Sequence, residues 1–227
     1  MKEGSGMVNF EKEYPERFYD VAIAEQHSVT FAAGLSLEGL KPVVAIYSTF
    51  LQRGYDQFIH DVCLENIDVT FAIDRAGIVG EDGPTHTGSF DISFMRCIPN
   101  IVISCPSNEH ELWHLLNICY EHKGPAAIRY PRGSGIGVKP IPNEIEGFEI
   151  GKAKKIKDGQ SVCILNFGVL MDQIDQIAEK KNYTLYDMRF IKPIDEDALE
   201  HAMQHETIIT QSLIHISEPT RHCTISY

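Results

Sequence analysis

The residue types best suited to chemistry follow directly after the apolar runs of this chain. They combine an acid, arginines, aromatic rings and a histidine: Glu25, Tyr47, Phe50, Arg53, Arg75, His86 and Arg132. An acid and an imidazole can move protons, and guanidinium groups bind anions in a fixed, forked geometry. These types together suit an anionic substrate and a proton-transfer step.

Each residue also has an ordinary structural interpretation. Glu25 could be an acid in the first turn of a helix, where it complements the helix dipole. Other such roles are surface ion pairs for the arginines, core packing for the aromatic rings and loop hydrogen bonding for the histidine. Taken singly, each of these interpretations is at least as good as a catalytic one. The shared position of these residues after predicted strands favours a functional role.

The apolar pattern predicts a parallel sheet that positions these residues. Apolar runs alternate with stretches of helical period, which is typical of a parallel sheet flanked by helices. The expected strands are 18–22, 42–47, 69–73, 101–103 and 126–130. The expected helices are 25–40, 48–65 with a cap at Ser48 and Thr49, 91–96, and 108–122 started by Pro106 and Ser107. Ligands of such sheets bind beyond the carboxyl ends of the strands, so we expect the site there.

A second α/β pattern follows a change in composition. Residues 139–158 are rich in Gly, Pro and Lys and are interpreted as a linker. Strands are then expected at 162–167, 184–187 and 207–210, with helices at 169–181 and from Asp195. Three strands are too few for a complete doubly wound domain. Residues 159–211 are therefore interpreted as an incomplete second α/β domain.

The glycine-rich loop from Asp74 to Ser89 matches neither GxGxxG nor GxxxxGK[ST], so a Rossmann or P-loop site is not expected. Asp82-Gly83, the acidic run 195–197 and the six scattered cysteines also lack metal-site spacing, so no metal ligand is predicted. The net charge of −12 argues against nucleic-acid and anionic-membrane partners. No apolar run reaches the roughly 20 residues of a membrane span. Reduced cysteines favour the cytoplasm, or a plastid if the source has plastids.

Four motifs, in this order and at these intervals, resemble the 1-deoxy-D-xylulose-5-phosphate synthases, a thiamine-diphosphate family of the transketolase superfamily. They are AIAEQH (22–27), YSTFLQR (47–53), DRAGIVGEDGPTHTG (74–88) and RYPRG (129–133). The resemblance covers about residues 1–211. It implies a transketolase-like pyrimidine-binding domain over 1–138 and a truncated transketolase C-terminal domain over 159–211.

The resemblance implies that four residues hold the cofactor. Glu25 matches the glutamate that hydrogen-bonds the aminopyrimidine ring and so acts in catalysis, and Phe50 matches the ring that stacks on it. Tyr47 and Arg53 match neighbouring active-site positions. The implied cofactors are thiamine diphosphate and Mg²⁺.

Four further residues match positions that act on the substrates. Asp82 and His86 match catalytic positions that order the substrate or close the loop. Arg75 and Arg132 match the pair that grips the phosphate of glyceraldehyde 3-phosphate. The implied reaction of this transferase is condensation of pyruvate with that aldehyde and loss of CO2, giving a precursor of isoprenoids, thiamine and pyridoxal.

Several alternatives stay open. The family's N-terminal domain, which binds Mg²⁺ and the diphosphate, has no counterpart here, so the chain is interpreted as a fragment, inactive alone, of a homodimeric enzyme. AEQH by itself would also fit the beta subunit of a 2-oxoacid dehydrogenase, and a noncatalytic α/β interaction module is a third interpretation. Residues 212–227 are interpreted as an unrelated, artefactual tail, because HISEPTR (215–221) resembles translated sequencing-adapter read-through.

Overall fold

The computed structural model describes residues 2–142 and 147–212, which form two sheets with flanking helices. The strands are β1 (Val43–Tyr47), β2 (Thr70–Asp74), β3 (Val102–Ser104), β4 (Ala126–Arg129), β5 (Lys154–Lys157), β6 (Val162–Phe167), β7 (Thr184–Asp187), β8 (Phe190–Lys192) and β9 (Thr207–Ser212). The α-helices are α1 (Val8–Glu13), α2 (Glu25–Leu37), α3 (Ser48–Leu51), α4 (Tyr55–Gln57), α5 (Asp91–Arg96), α6 (Glu109–Glu121), α7 (Met171–Lys181) and α8 (Glu196–Ala202).

The first sheet has the strand order β1-β2-β4-β3-β8 and is parallel except for β8. Tyr47 pairs with Asp74, and Ile73 pairs with Arg129. The carboxyl ends of β1, β2 and β4 are therefore level with one another. The predicted α/β class with a parallel sheet is confirmed, and its strand ends form one edge.

Two apolar clusters cover the two faces of this sheet. One packs α2 and the segment after α4 against β1 and β2, with Phe58 and Phe71 fully buried. The other packs α6 on β4, with Leu115 and Ile128 fully buried. Burying one such side chain stabilises the fold by about 1.5–3 kcal/mol. This two-sided burial explains why the strands of this sheet are apolar at most positions.

The expected strand at 18–22 is wrong. Asp20 forms a local turn in which its Oδ1 accepts a hydrogen bond from Ala22 N at 2.8 Å. Ala22 has a positive φ of 55°, which is incompatible with a strand. Glu25 therefore enters α2 from a turn.

The expected regular helix at 48–65 is also wrong in detail. A 3-10 turn at Gln52–Gly54 follows α3, and a π-helical segment, Phe58–Cys63, follows α4. At the break, a Cβ on Gly54 would lie 3.1 Å from the carbonyl oxygen of Glu25, tighter than most real Cβ contacts, so glycine eases this approach to α2. The expected cap is absent: Ser48 is the first residue of α3, and its buried Oγ has no hydrogen-bond partner among the described residues.

The second sheet has four strands where three were expected, in the order β5-β7-β6-β9. Strand β5 is antiparallel to β7 and lies within the expected linker. The strands expected at 162–167 and 184–187 are confirmed. Asp195 caps α8, because its Oδ1 accepts hydrogen bonds from Asp197 N and Ala198 N. Strand β9 includes Ser212, and the rest of the expected tail lies outside the described residues.

Sequence reasoning missed β8, which follows β7 in the chain but pairs antiparallel with β3 of the first sheet. Nearby, Arg189 Nη2 donates to Glu111 Oε1 at 2.8 Å, and Ser107 Oγ donates to Asp187 Oδ2 at 2.6 Å. Helix α6 starts with an Asn108 cap, one residue beyond the expected Ser107. These contacts join the two sheets through buried polar groups.

No helix in the described part of the chain is long and apolar enough to cross a membrane. Of the five cysteines there, four are buried, Cys97 is exposed, and none forms a disulfide within that part.

Candidate active site

The eight predicted site residues are connected by direct contacts near the carboxyl edge of the first sheet. Tyr47 ends β1, Arg75 follows β2 and Arg132 lies beyond β4. Glu25 is the first residue of α2, and both Phe50 and Arg53 follow β1. Asp82 and His86 lie in two short 3-10 turns of the glycine-rich loop.

A stack of rings forms the centre of the site. The rings of Tyr47 and Phe50 are nearly parallel, at 11°, with centroids 5.2 Å apart. The Arg75 guanidinium lies 3.8 Å from the centroid of Tyr47. His86 meets the Phe50 ring edge-on at 5.3 Å. Tyr47 is buried, whereas Phe50 and His86 are partly exposed, so an exposed aromatic surface is supported by a buried one.

Glu25 is connected to this stack through Arg53. Glu25 is 7% exposed, and its Oε1 accepts a hydrogen bond from Arg53 Nη1 at 3.3 Å. The Arg53 guanidinium also lies 5.5 Å from the Phe50 centroid. Arg53 itself is exposed. One arginine thus connects a buried acid to the partly exposed ring.

Two arginines converge on a single carboxylate oxygen. Asp82 Oδ2 accepts a hydrogen bond from Arg75 Nε at 2.8 Å and lies 3.0 Å from Arg132 Nε. Arg132 also lies 3.5 Å from Glu81, whose side chain is exposed. Arg75 Nη1 donates to Asp74 Oδ2 at 2.6 Å and to the Gly4 carbonyl at 3.2 Å. Both guanidinium groups can therefore reach one anion.

Burial and neighbouring charges together shift the pKa values in this cluster. Burial raises the pKa of Asp74, against the opposing effect of the Arg75 charge. It also raises the pKa of Tyr47, so the phenol is neutral at pH 7. Burial alone would lower the pKa of Arg75, but the hydrogen bond to Asp82 and the charge of Asp74 outweigh it and raise that pKa. Arg75 is therefore a permanent cation.

A buried ion pair beside the site was missed by sequence reasoning. Asp91, fully buried at the start of α5, accepts from Arg129 Nε at 2.9 Å and from Arg129 Nη2 at 3.3 Å. This forked contact fixes the end of β4, three residues before Arg132. The position of Arg129 near the end of a predicted strand was a signal, but no pattern connects it to Asp91.

The donor set fits an aminopyrimidine. A buried carboxyl can hydrogen-bond a ring nitrogen, and a partly exposed aromatic ring with a second ring behind it offers a stacking surface. In the structure, Arg53 contacts both of these residues, Glu25 and Phe50. Within residues 2–142 and 147–212, no three His, Cys, Asp or Glu side chains are grouped as a metal site.

Comparisons with known proteins agree with this architecture. The family model described as transketolase, pyrimidine binding domain, matches residues 1–136, and that of the transketolase C-terminal domain matches residues 151–226. The chain is 58% identical to the 1-deoxy-D-xylulose-5-phosphate synthase of Idiomarina loihiensis, over 92% of this chain and 34% of the relative. It is 59% identical to that of Francisella tularensis subsp. novicida with the same coverage. It thus spans about a third of the length of these curated relatives.

Two solved structures share the fold. A split-gene transketolase, described as an inactive beta4 tetramer, has a TM-score of 0.78 and 28% identity, over 91% of this chain and 69% of that one. The transketolase of Campylobacter jejuni has a TM-score of 0.66 and 18% identity, over 82% of this chain and 30% of that one, which shows the fold alone. Because the first family model covers more than half of the 227 residues, this chain belongs to the transketolase family through its pyrimidine-binding domain.

Proposed function

We propose that this chain supplies the pyrimidine-binding part of a thiamine-diphosphate-dependent synthase. The reaction condenses pyruvate with glyceraldehyde 3-phosphate, releases CO2 and forms 1-deoxy-D-xylulose 5-phosphate, a precursor of isoprenoids and thiamine. The contact of Arg53 with both Glu25 and Phe50 carries the proposal, because it brings an acid and a stacking ring together. The names of the relatives at 58% and 59% identity support the choice of substrates.

On the cofactor side, each residue has a separate task. When bound, thiamine diphosphate supplies the electron sink for decarboxylation. Glu25 offers its buried carboxyl group for a hydrogen bond to the aminopyrimidine. Phe50 offers its exposed face for stacking, and Tyr47 keeps that ring in place from behind. Arg53 orients the Glu25 carboxyl group.

On the substrate side, Arg75 and Arg132 bind the phosphate of the aldehyde. Their convergence on Asp82 supports this role, because two guanidinium groups that share one carboxylate oxygen are already arranged for an anion. Asp82 holds the two guanidinium groups close to each other. His86 lies against Phe50 and can exchange a proton with the reacting carbonyl oxygen.

The chain is proposed to act with a second polypeptide segment that binds the diphosphate and Mg²⁺. The split-gene transketolase supports this view, since that similar chain is described as inactive. Homodimerisation of the whole enzyme, a cytoplasmic location and the domain limits 1–138 and 159–211 belong to the same proposal.

Reconstitution tests the proposal. The full chain is co-expressed with the portion of the Francisella relative that lies outside the matched region, and their association is measured by size-exclusion chromatography. We expect CO2 release from pyruvate that increases with glyceraldehyde 3-phosphate. Glu25→Gln should lower kcat by about 100-fold or more, the range of acid–base contributions. Glu38→Gln, an exposed acid just after α2, is the matched control and should retain full activity.

The outcomes separate the candidate functions. A complex that forms but releases no CO2 would refute the synthase, and full activity in Glu25→Gln would refute the role of this acid. A rate of CO2 release that does not depend on glyceraldehyde 3-phosphate would favour a 2-oxoacid dehydrogenase subunit.

A further inference from the structure

Three segments of the candidate active site meet at one backbone crossing, where Gly88 packs against Ser48. Gly77 N donates to the Gly88 carbonyl at 2.9 Å, and Gly88 N donates to the Gly77 carbonyl at 2.8 Å. This reciprocal pair closes the glycine-rich loop at its base. Asp82 and His86 lie within the closed loop, so the crossing determines where both are held.

The crossing has no room for a side chain on Gly88. A Cβ there would overlap the Arg75 carbonyl oxygen and would lie 2.6 Å from Ser48 Oγ and 2.7 Å from Ser48 Cβ. Real Cβ atoms do not approach other atoms so closely. Neither neighbour can yield easily, because one is backbone and Ser48 is fully buried. Any larger residue would therefore push the loop away from α3.

The same crossing determines the ring contacts of the site. Phe50 lies two residues after Ser48, and His86 two residues before Gly88, and these two rings meet edge-on at 5.3 Å. Between them, Thr49 Oγ1 donates to the Thr85 carbonyl at 3.2 Å. The two chain segments thus stay in contact from the crossing outward.

Arg75 is held at the same place. Its carbonyl group faces Gly88, and its guanidinium lies on the ring of Tyr47, the residue before Ser48. A displacement at the crossing would therefore move Arg75 relative to Tyr47 and His86 relative to Phe50. Misplacing catalytic groups by about 1 Å can lower rates by about 100-fold.

We propose that Gly88 is a positioning residue of the active site, which sets the distance of His86 from Phe50 and of Arg75 from Tyr47. The proposal rests on the proposed function, because those four residues are the ones assigned to cofactor and substrate. Gly88 itself touches neither. Its contribution is the absence of a side chain at the point where the loop crosses the start of α3.

The test compares Gly88→Ala with Gly34→Ala in the full chain. Gly34 lies in α2, where an added Cβ would have no atom of the described residues within 4 Å apart from its chain neighbours and its own helix backbone, so it is a matched control. The measurements are NMR signals of the His86 ring protons, assigned with His86→Asn, and hydrogen exchange of the Gly77 amide. In Gly88→Ala the His86 signals should move toward their positions in Phe50→Leu, and Gly77 exchange should accelerate at least tenfold. Gly34→Ala should leave both unchanged.

Unchanged His86 signals and Gly77 exchange in a folded Gly88→Ala protein would overturn the proposal. If circular dichroism shows that this variant does not fold, Ser48→Thr, which adds a methyl group on the other side of the crossing, is measured in the same way. In the reconstituted complex, Gly88→Ala should lower kcat about 100-fold with a smaller change in KM. An inactive wild-type complex refutes the proposed function instead, because the NMR comparison needs no activity.

Discussion

Replacing Asp187 by Asn should stabilise this protein at neutral pH. Asp187 is buried at the junction of the two sheets, where its Oδ2 accepts a hydrogen bond from Ser107. Burial raises its pKa from 3.8 to about 6, with a further increase from Glu111, against the Ser107 hydrogen bond and the Arg189 charge. At pH 7 the folded protein therefore holds a charge that the site disfavours. An amide oxygen can accept the same hydrogen bond without that charge.

The magnitude follows from the shift. A rise of about two pKa units corresponds to about 3 kcal/mol at 1.36 kcal/mol per unit. Because the pKa is raised in the folded state, that state binds more protons than the unfolded state between about pH 4 and pH 6. The free energy of unfolding should therefore fall by up to about 3 kcal/mol as the pH rises through this window and should then level off. Asp187→Asn should remove this part of the pH dependence.

Urea unfolding of the full chain, followed by circular dichroism from pH 4 to pH 8, measures the effect. We expect Asp187→Asn to be more stable than the wild type by up to about 3 kcal/mol at pH 7 and similar to it at pH 4. The control, Asp175→Asn, removes an exposed acid of α7 and should change stability by less than about 0.5 kcal/mol. A loss of stability at pH 7 in Asp187→Asn would refute the reasoning, because it would show that the charged carboxylate stabilises the junction.

Three further changes test other parts of the structure. Arg129→Met leaves the Asp91 carboxylate buried without its partner and should lower the free energy of unfolding by about 3–5 kcal/mol, measured in urea. Phe58→Ala empties a fully buried site that contacts Phe71 edge-on at 4.8 Å and should lower it by about 3–5 kcal/mol in the same assay. Arg132→Lys removes a forked donor and should raise the KM for glyceraldehyde 3-phosphate at least tenfold in the reconstituted complex, with the KM for pyruvate unchanged. Equal changes in both KM values would contradict a specific role in phosphate binding.

The fold was predictable where burial alone determines the sequence pattern. Strands β6 and β7 are buried at most positions, so their apolar runs were recognised at their observed limits. Strand β8 has only three residues, and its partner β3 lies far away in the chain. Strand β5 is exposed at three of four positions and rich in lysine. Neither leaves a periodic signal, because pairing with a distant strand, and not local composition, makes each a strand.

The candidate site was predictable in its residue types but not in its contacts. Position at or beyond the end of a predicted strand selected Tyr47, Arg75 and Arg132, because parallel strands end at a common edge. The shared contacts of Arg53 with Glu25 and Phe50 depend on the helix break at Gly54, which the helical pattern concealed. The close packing of α2 against the helix break determines these contacts. The sequence signal of that packing is a single glycine, Gly54.

The backbone at Arg75 shows how the site and the loop depend on each other. Its φ of 58° is left-handed, a conformation that costs a non-glycine residue about 1–3 kcal/mol. The side chain offsets this strain through charged hydrogen bonds to Asp74 and Asp82 and through its position on the Tyr47 ring. Hydrogen bonds to charged groups stabilise by about 1.5–3 kcal/mol each, so the contacts outweigh the strain. The turn that starts the loop is therefore maintained by the side chain of Arg75, which is proposed to bind the substrate, and a change to Arg75 should alter the conformation of the loop as well as the chemistry.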